Sequence, residues 1–234
     1  MIREARDYTF IDYIDDDAAR KEYFERIYSD IDDPWGQLGT KHGPLGSDFY
    51  SETQHFLTRR ITSVLGAEKF RFAEIGCGLG NLTHLLTRTF PSFTVSGYDL
   101  SQNAVRKAKQ RFPETDFCQL DILQNAVVPQ CECILLSNVV WYLLHDIERL
   151  VNSLFLSFTF GDSSNYLLIQ NPYFFNGQRY YNNLLRAPEQ CLDLLSGHLE
   201  KHGIEVSAYF SSRLVKSAWG YYYGYSEFKL TQRT

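Results

Sequence analysis

A chain of 234 residues, 44% hydrophobic and 22% charged, has enough apolar material to bury a core, which excludes a disulfide-stapled miniprotein and a disordered polyelectrolyte. Lys and Arg total 23 against 28 Asp and Glu, and a formal charge of -5 offers no general attraction to phosphate backbones, so nucleic acid is not an expected partner. Cys77, Cys118, Cys131, Cys133 and Cys191 form an odd set without a C-x-x-C, so neither a disulfide framework nor a metal site is expected, and a reducing cytoplasmic location fits. The opening MIREARDYTF lacks the apolar run of a secretory signal. No stretch approaches the roughly 18 apolar residues a membrane span needs, so a soluble protein without a membrane partner is expected.

In chain order, AARKEYFERIY (18–28) sets Ala19, Tyr23, Phe24, Ile27 and Tyr28 at helical spacing behind the acids 15–17, which favour a helix N-terminus. DIDDPWGQLGTKHGPLGSD then breaks both periodicities with two prolines and four glycines, and reads as a long loop, either a lid or an ordinary connection. Ser51 with Gln54 predicts a capping box opening a helix whose inner face is Leu57, Ile61, Val64 and Leu65. From residue 70 strands alternate with helices: strands at 70–75, 93–99, 115–121, 131–137 and 165–170, a helix after the glycines at 81–90, one capped by Ser101, one over 146–158, and a last helix behind Pro188. The alternation predicts an α/β fold, a doubly wound, mostly parallel seven-stranded sheet with an antiparallel C-terminal strand and an N-terminal helical cap. Residues 1–50 are expected to be a helix and lid-like loop of the same domain, and 51–234 the catalytic domain, with an aromatic insertion at about 171–186.

The sharpest signal is Glu74-Ile75-Gly76-Cys77-Gly78-Leu79-Gly80, between the first strand and its helix. Glycines at every second position permit a tight turn, close approach of a ligand, and a helix N-terminus beside it. A dinucleotide fingerprint wants a small residue at 81, where this chain has Asn81, and the Gly-Lys-Ser/Thr of a triphosphate loop is absent. A nucleoside ligand without a cradled pyrophosphate fits this loop. Asp99 ends the second strand, 19 residues beyond Gly80, where a carboxylate can accept from both ribose hydroxyls or cap the next helix. Leu100 can lie against an adenine face or belong to the core. Asp121 can accept from an adenine amino group, with Ile122 over the ring, or serve as a turn acid.

The four segments EIGCGLG, GYDLS, QLDIL and LLSNVVWYL, in this order, resemble the successive motifs of class I S-adenosylmethionine-dependent methyltransferases over residues 70–170. The resemblance implies S-adenosylmethionine as cofactor, bound by Glu74, Gly76, Cys77, Gly78 and Gly80 at its amino-acid part. It assigns the ribose to Asp99 and the adenine amino group to Asp121. A fainter likeness, DPWG at 33–36, is to nodulation-type N-methyltransferases, which act on an amino sugar, and implies that Trp35 belongs to a segment folding over the cofactor.

Methyl transfer is an in-line displacement, so the protein must align acceptor, methyl and leaving sulfur, and no metal is required. Acceptor groups belong beyond the C-terminal ends of the parallel strands, where Ser137, Asn138, Trp141 and Tyr142 fall. There Asn138 can orient an acceptor, Trp141 and Tyr142 can wall it, and His145 is the candidate base, with His42 in the loop as a second. Tyr173 and Arg179, after strand five, can stack on and hydrogen-bond a sugar or aromatic ring, or form a structural plug. The expected activity is methylation of an amino or hydroxyl group on a small, sugar-like acceptor. The alternatives are O-methylation of an aromatic or other natural product, or a non-catalytic cofactor-binding protein. Monomer and homodimer remain equally open.

Overall fold

The computed structural model describes residues 16–38, 47–66, 69–124, 128–161, 164–174, 185–216 and 221–232. Its helices are α1 (Asp17–Asp30), α2 (Ser47–Leu65), α3 (Asn81–Thr89), α4 (Gln102–Arg111), α5 (Ile147–Ser157) and α6 (Cys191–Lys201). Its strands are β1 (Arg71–Ile75), β2 (Thr94–Asp99), β3 (Asp116–Gln119), β4 (Cys133–Ser137), β5 (Asn165–Phe174), β6 (Ile204–Lys216) and β7 (Tyr221–Gln232). They form one seven-stranded sheet of order β3-β2-β1-β4-β5-β7-β6, in which the pairings of β7 with β5 and β6 are antiparallel. The α/β, mostly parallel sheet and its reversed C-terminal strand are those expected from the sequence. Among the described residues, no helix is long and apolar enough to cross a membrane.

The chain divides into two compact units, residues 1–69 with 77–120, and residues 70–76 with 121–234. In the first, the acid run does start α1: Asp16 is its N-cap and accepts from the Ala19 N–H at 2.8 Å. Ile27 and Tyr28 of α1 bury against Leu79 and Ala104. Polar ties reinforce that packing, because Glu25 accepts from the Ser101 hydroxyl and the Asn103 N–H, and Lys107 Nζ donates to the Ile31 carbonyl at 2.9 Å. Ser101 caps α4 as expected, accepting from the Ala104 N–H at 3.1 Å. The expected start of α2 at Ser51 is corrected: the helix begins at Ser47, and Ser51 lies exposed within it. A residue five positions into a helix lies past the four N-terminal N–H groups that a cap would serve, so Ser51 has no capping role there. The inner face of α2 is the predicted one, with Leu57, Ile61 and Leu65 buried.

In the second unit β4 is buried along its whole length, as its continuous apolar run requires. Two 3₁₀ turns, Val140–Tyr142 and Leu144–Asp146, connect it to α5, which Asp146 caps through the Arg149 N–H at 3.1 Å. Strand five extends past the predicted 170 to Phe174, so Asn171–Phe174 is sheet and not insertion. Among the described residues its last residues pair only with β7, Pro172 opposite Tyr223, because β4 ends at Ser137 opposite Gln170. Proline, which has no N–H to donate, is tolerated where one flank of the strand is free.

Gly224 of β7 makes this pairing possible. A Cβ there would lie 2.2 Å from Tyr173 Cε2 and 2.9 Å from Pro188 Cγ. Tyr173 is fully buried, stacked on Tyr222 at 5.7 Å and edge-on to Trp141 at 5.5 Å, so it has no free direction to retreat. Gly224→Ala is expected to cost about 1–3 kcal/mol by overpacking and to lower Tm by about 2–12 °C in differential scanning calorimetry. An unchanged Tm would contradict this account of the Tyr173 packing.

Candidate functional site

The glycine segment turns through three residues of positive φ: Gly76 at 76°, Gly78 at 56° and Gly80 at 81°. All three also leave no room for a side chain, and a Cβ at Gly80 would lie 2.5 Å from Phe117 Cζ. A Cβ at Gly76 would lie 2.1 Å from Val139 Cγ1, and one at Gly78 would lie 2.7 Å from both Gln37 Oε1 and Tyr28 Oη.

Every backbone N–H from Cys77 to Gly80 has a protein acceptor. Cys77 donates to the Tyr98 carbonyl at 3.0 Å, Gly78 to Asp99 Oδ2 at 2.8 Å, Leu79 to Gln37 Oε1 at 2.9 Å, and Gly80 to the Cys77 carbonyl at 3.0 Å. A pyrophosphate-cradling loop presents these donors to its ligand. Here they are used internally, which agrees with the absent dinucleotide pattern at Asn81. Asn81 opens α3 and donates Nδ2 to the Gln37 carbonyl at 2.5 Å.

Asp99 ends β2 and is 7% exposed. Its Oδ1 accepts from the Ser101 N–H at 2.9 Å and its Oδ2 from Gly78. Each oxygen keeps further acceptor capacity, which suits a ligand offering hydroxyl donors. Burial pushes the carboxyl up to about 6, the two N–H donors pull against that shift, and Glu25 adds to it. Tyr28 is buried nearby and stays protonated well above the usual phenol range, first through burial and then through the charge of Asp99.

Other residues singled out from the sequence fall as follows. In the first unit Trp35 is half-buried, and its Nε1 donates to Tyr28 Oη at 3.0 Å, so the indole is anchored to α1. Leu100 is half-buried, with its carbonyl accepting from Gln119 Nε2. Cys77 is buried among Val105, Ala108 and Phe117.

In the second unit Glu74 is 3% exposed in β1. Asp121 accepts from the Leu123 N–H at 3.1 Å, a turn-forming contact, and Ile122 is buried. Asn138 follows Ser137 with φ 60°, a conformation asparagine tolerates, and donates Nδ2 to Ser137 Oγ at 3.2 Å. Among the described residues its Oδ1 is buried without a partner, and so is Trp141 Nε1. Trp141 and Tyr173 are brought together at their ring edges. Tyr173 Oη lies 3.6 Å from Cys191 Sγ, and burial holds its phenol well above the usual range. Tyr142 and His145 occupy the two 3₁₀ turns and are half-buried. His42 and Arg179 lie outside the described residues, as do residues 39–46 of the loop and 175–184 of the insertion.

Gln37 was not singled out from the sequence. Its link to Leu79 spans 42 positions and leaves no local pattern.

Residues 73–157 match the family model for a methyltransferase domain. The trans-aconitate 2-methyltransferase of Rhodopseudomonas palustris (strain BisB5) is 34% identical over 88 residues, 36% of this chain and 34% of that protein, so the chain spans about a third of the relative's length. Two solved structures share the fold. N-methyltransferase NodS from Bradyrhizobium japonicum WM9, in complex with S-adenosylhomocysteine, has TM-score 0.61 at 17% identity, covering 90% of this chain and 97% of that one. Phosphoethanolamine N-methyltransferase 2 of Haemonchus contortus, with S-adenosylmethionine, has TM-score 0.63 at 12% identity over 91% and 60%. The methyltransferase-domain match begins in β1 and ends with α5, so residues 73–157 of this chain are similar to a methyltransferase domain, on a sheet whose fold the two solved structures share.

Proposed function

We propose that this protein transfers the methyl group of S-adenosylmethionine to an amino or hydroxyl group of a small acceptor. The observation that carries the reading is the buried carboxylate of Asp99, held by the Gly78 and Ser101 N–H groups and with acceptor capacity left for ribose hydroxyls. When bound, the cofactor supplies an electrophilic methyl on a sulfonium. The chain's residues then have to hold, orient and exclude water. Asp99 receives the ribose, Gly76, Cys77, Gly78 and Gly80 admit the ligand at close range, and Leu100, Asp121 and Ile122 are assigned to the adenine. Glu74 and Ser137 complete the cofactor set.

Asn138 orients the acceptor through its unpartnered Oδ1, Trp141 and Tyr142 wall it, and His145 receives the proton of a hydroxyl acceptor. An amine needs no strong base, because its neutral form is already nucleophilic. The name of the curated relatives brings a carboxylate acceptor as a second reading. The described candidates Asn138, Trp141, Tyr142 and Tyr173 are neutral, so a carboxylate, ordinarily met by a cation, would have to be met by the Arg179 expected from the sequence.

Calorimetry with S-adenosylhomocysteine tests the cofactor, and a panel of amine, hydroxyl and carboxylate acceptors scored by a one-methyl mass gain tests the acceptor. No binding at millimolar cofactor would end the reading.

The pH dependence carries a distinctive sign. Only ionised Asp99 accepts from two hydroxyls, and its carboxyl titrates near 6, so cofactor affinity is expected to fall about 10-fold between pH 7 and pH 5. Its contribution to the stability of the free protein runs the other way. The folded carboxyl holds its proton to a higher pH than the unfolded one, so between about pH 4 and 6 the folded state binds more protons, and stability declines as pH rises. The difference between parent and Asp99→Asn in both measurements isolates this group. Parallel pH trends in affinity and in stability would contradict the assignment.

A further inference from the structure

Of the N–H donors in the Cys77–Gly80 turn, the Leu79 N–H is held by a side chain from the N-terminal segment, Gln37. Gln37 is fixed along its backbone. Its N–H donates to Asp33 Oδ1 at 2.8 Å, and its carbonyl accepts from Asn81 Nδ2. Asp33, 6% exposed, also accepts from the Leu38 N–H through Oδ2 at 2.9 Å, so one buried carboxylate closes the 33–38 turn. The Gln37 carboxamide and Tyr28 Oη together fill the volume a side chain at Gly78 would take, and Trp35 holds Tyr28 from the other direction.

We infer that Gln37 is a positioning residue for the glycine turn: its side-chain carbonyl sets the pitch of the turn at Leu79, and through it the aim of the Gly78 N–H at Asp99. The ligand is named from the proposed function; the positioning rests on the bonds themselves. Leu79 is fully buried, so an N–H there without an acceptor finds no water and drives the turn to rearrange. The adjacent peptide carries the Gly78 N–H, so the rearrangement reaches the carboxylate that receives the ribose. The bonds from Cys77 to Tyr98 and from Gly80 to Cys77 do not involve Gln37 and keep the turn closed in its absence. The expected change is therefore in the turn's geometry and not in the fold.

Two variants separate the acceptor from the shape. Gln37→Met keeps the length and removes the oxygen, whereas Gln37→Glu keeps an oxygen in reach. S-adenosylhomocysteine affinity is read by calorimetry, Leu79 protection by amide hydrogen exchange, and integrity by Tm. The methionine variant is expected to bind about 10-fold more weakly and to lose Leu79 protection. At saturating cofactor its kcat stays near the parent value while the cofactor KM rises, and its Tm stays within a few degrees. The glutamate variant keeps Leu79 protected and binds near the parent level.

Parent-like affinity and protection in Gln37→Met would overturn the inference, as would equal losses in both variants. If the parent binds no S-adenosylhomocysteine, the proposed function fails. Leu79 exchange still decides the positioning role, because unchanged protection in Gln37→Met overturns it.

Discussion

Asp99→Ala is expected to weaken S-adenosylhomocysteine binding about 10-fold to 100-fold in a chain that still folds. A hydrogen bond to a charged group is worth about 1.5–3 kcal/mol, and each 1.4 kcal/mol is about a factor of ten in affinity. The lower figure corresponds to one ribose hydroxyl losing its acceptor, the upper to a loss that also includes misdirection of the turn. Retention of the fold follows from opposed effects. The substitution leaves the Gly78 and Ser101 N–H groups without their acceptor, which destabilises, but it also removes a carboxylate whose burial raises its pKa to about 6. The cap of α4 is unaffected, because Ser101 Oγ still accepts from Ala104.

Asp99→Asn separates charge from geometry. Its carbonyl oxygen can keep one of the two N–H bonds, so an intermediate affinity is expected, without the loss between pH 7 and pH 5. Calorimetry at the two pH values measures both effects. Unchanged affinity in a folded Asp99→Ala protein would remove the basis for an adenosyl ligand.

The parts of this fold and site that were legible in the sequence are those whose chemistry is local. Gly76, Gly78 and Gly80 announce a turn because L-residues rarely adopt positive φ, and all three adopt it. Asp99 could be paired with that turn from spacing alone, because a strand-helix-strand unit fixes roughly how far apart its two strand ends lie in sequence. Ser101 is a cap with the expected local geometry.

What could not be read depends on partners distant in sequence. Strand five is expected to end at 170, yet the strand continues because β7 pairs with it, a fact contained in residues 221–224 and not in 171–174. Asn81 looked like a departure from a glycine pattern. Its side chain is in fact used, since it holds the Gln37 carbonyl. Trp35 was chosen for a cofactor role on a four-residue likeness, and the structure shows the bond to Tyr28 that anchors it. Gln37 itself sits in a stretch without periodicity, where no pattern distinguishes it from an ordinary loop residue.

Gly76→Ala is expected to produce the largest loss of stability of any single methyl addition considered, because two independent penalties coincide. Its φ of 76° is left-handed, which costs an L-residue about 1–2 kcal/mol. The new methyl would also sit 2.1 Å from Val139 Cγ1, with Val139 Cβ at 3.2 Å and Cγ2 at 3.4 Å, and overpacking of this kind costs about 1–3 kcal/mol. Rotation of Val139 cannot clear the contact cheaply, since its other methyl already stands within van der Waals range and β-branched side chains have few χ1 wells. The total, about 2–5 kcal/mol, corresponds to a fall in Tm of about 4–20 °C for a domain of this size. The two penalties can be separated with Val139→Ala, which removes the clashing methyl and leaves the backbone strain in place. In a double-mutant cycle measured by denaturant unfolding, Gly76→Ala/Val139→Ala should be more stable than the sum of the single changes by at least about 1 kcal/mol, while remaining less stable than Val139→Ala alone. Strict additivity would mean that Val139 moves aside freely and that strain at position 76 is the whole cost. Full restoration to the stability of Val139→Ala would mean the reverse, that the left-handed backbone at Gly76 carries no penalty for alanine.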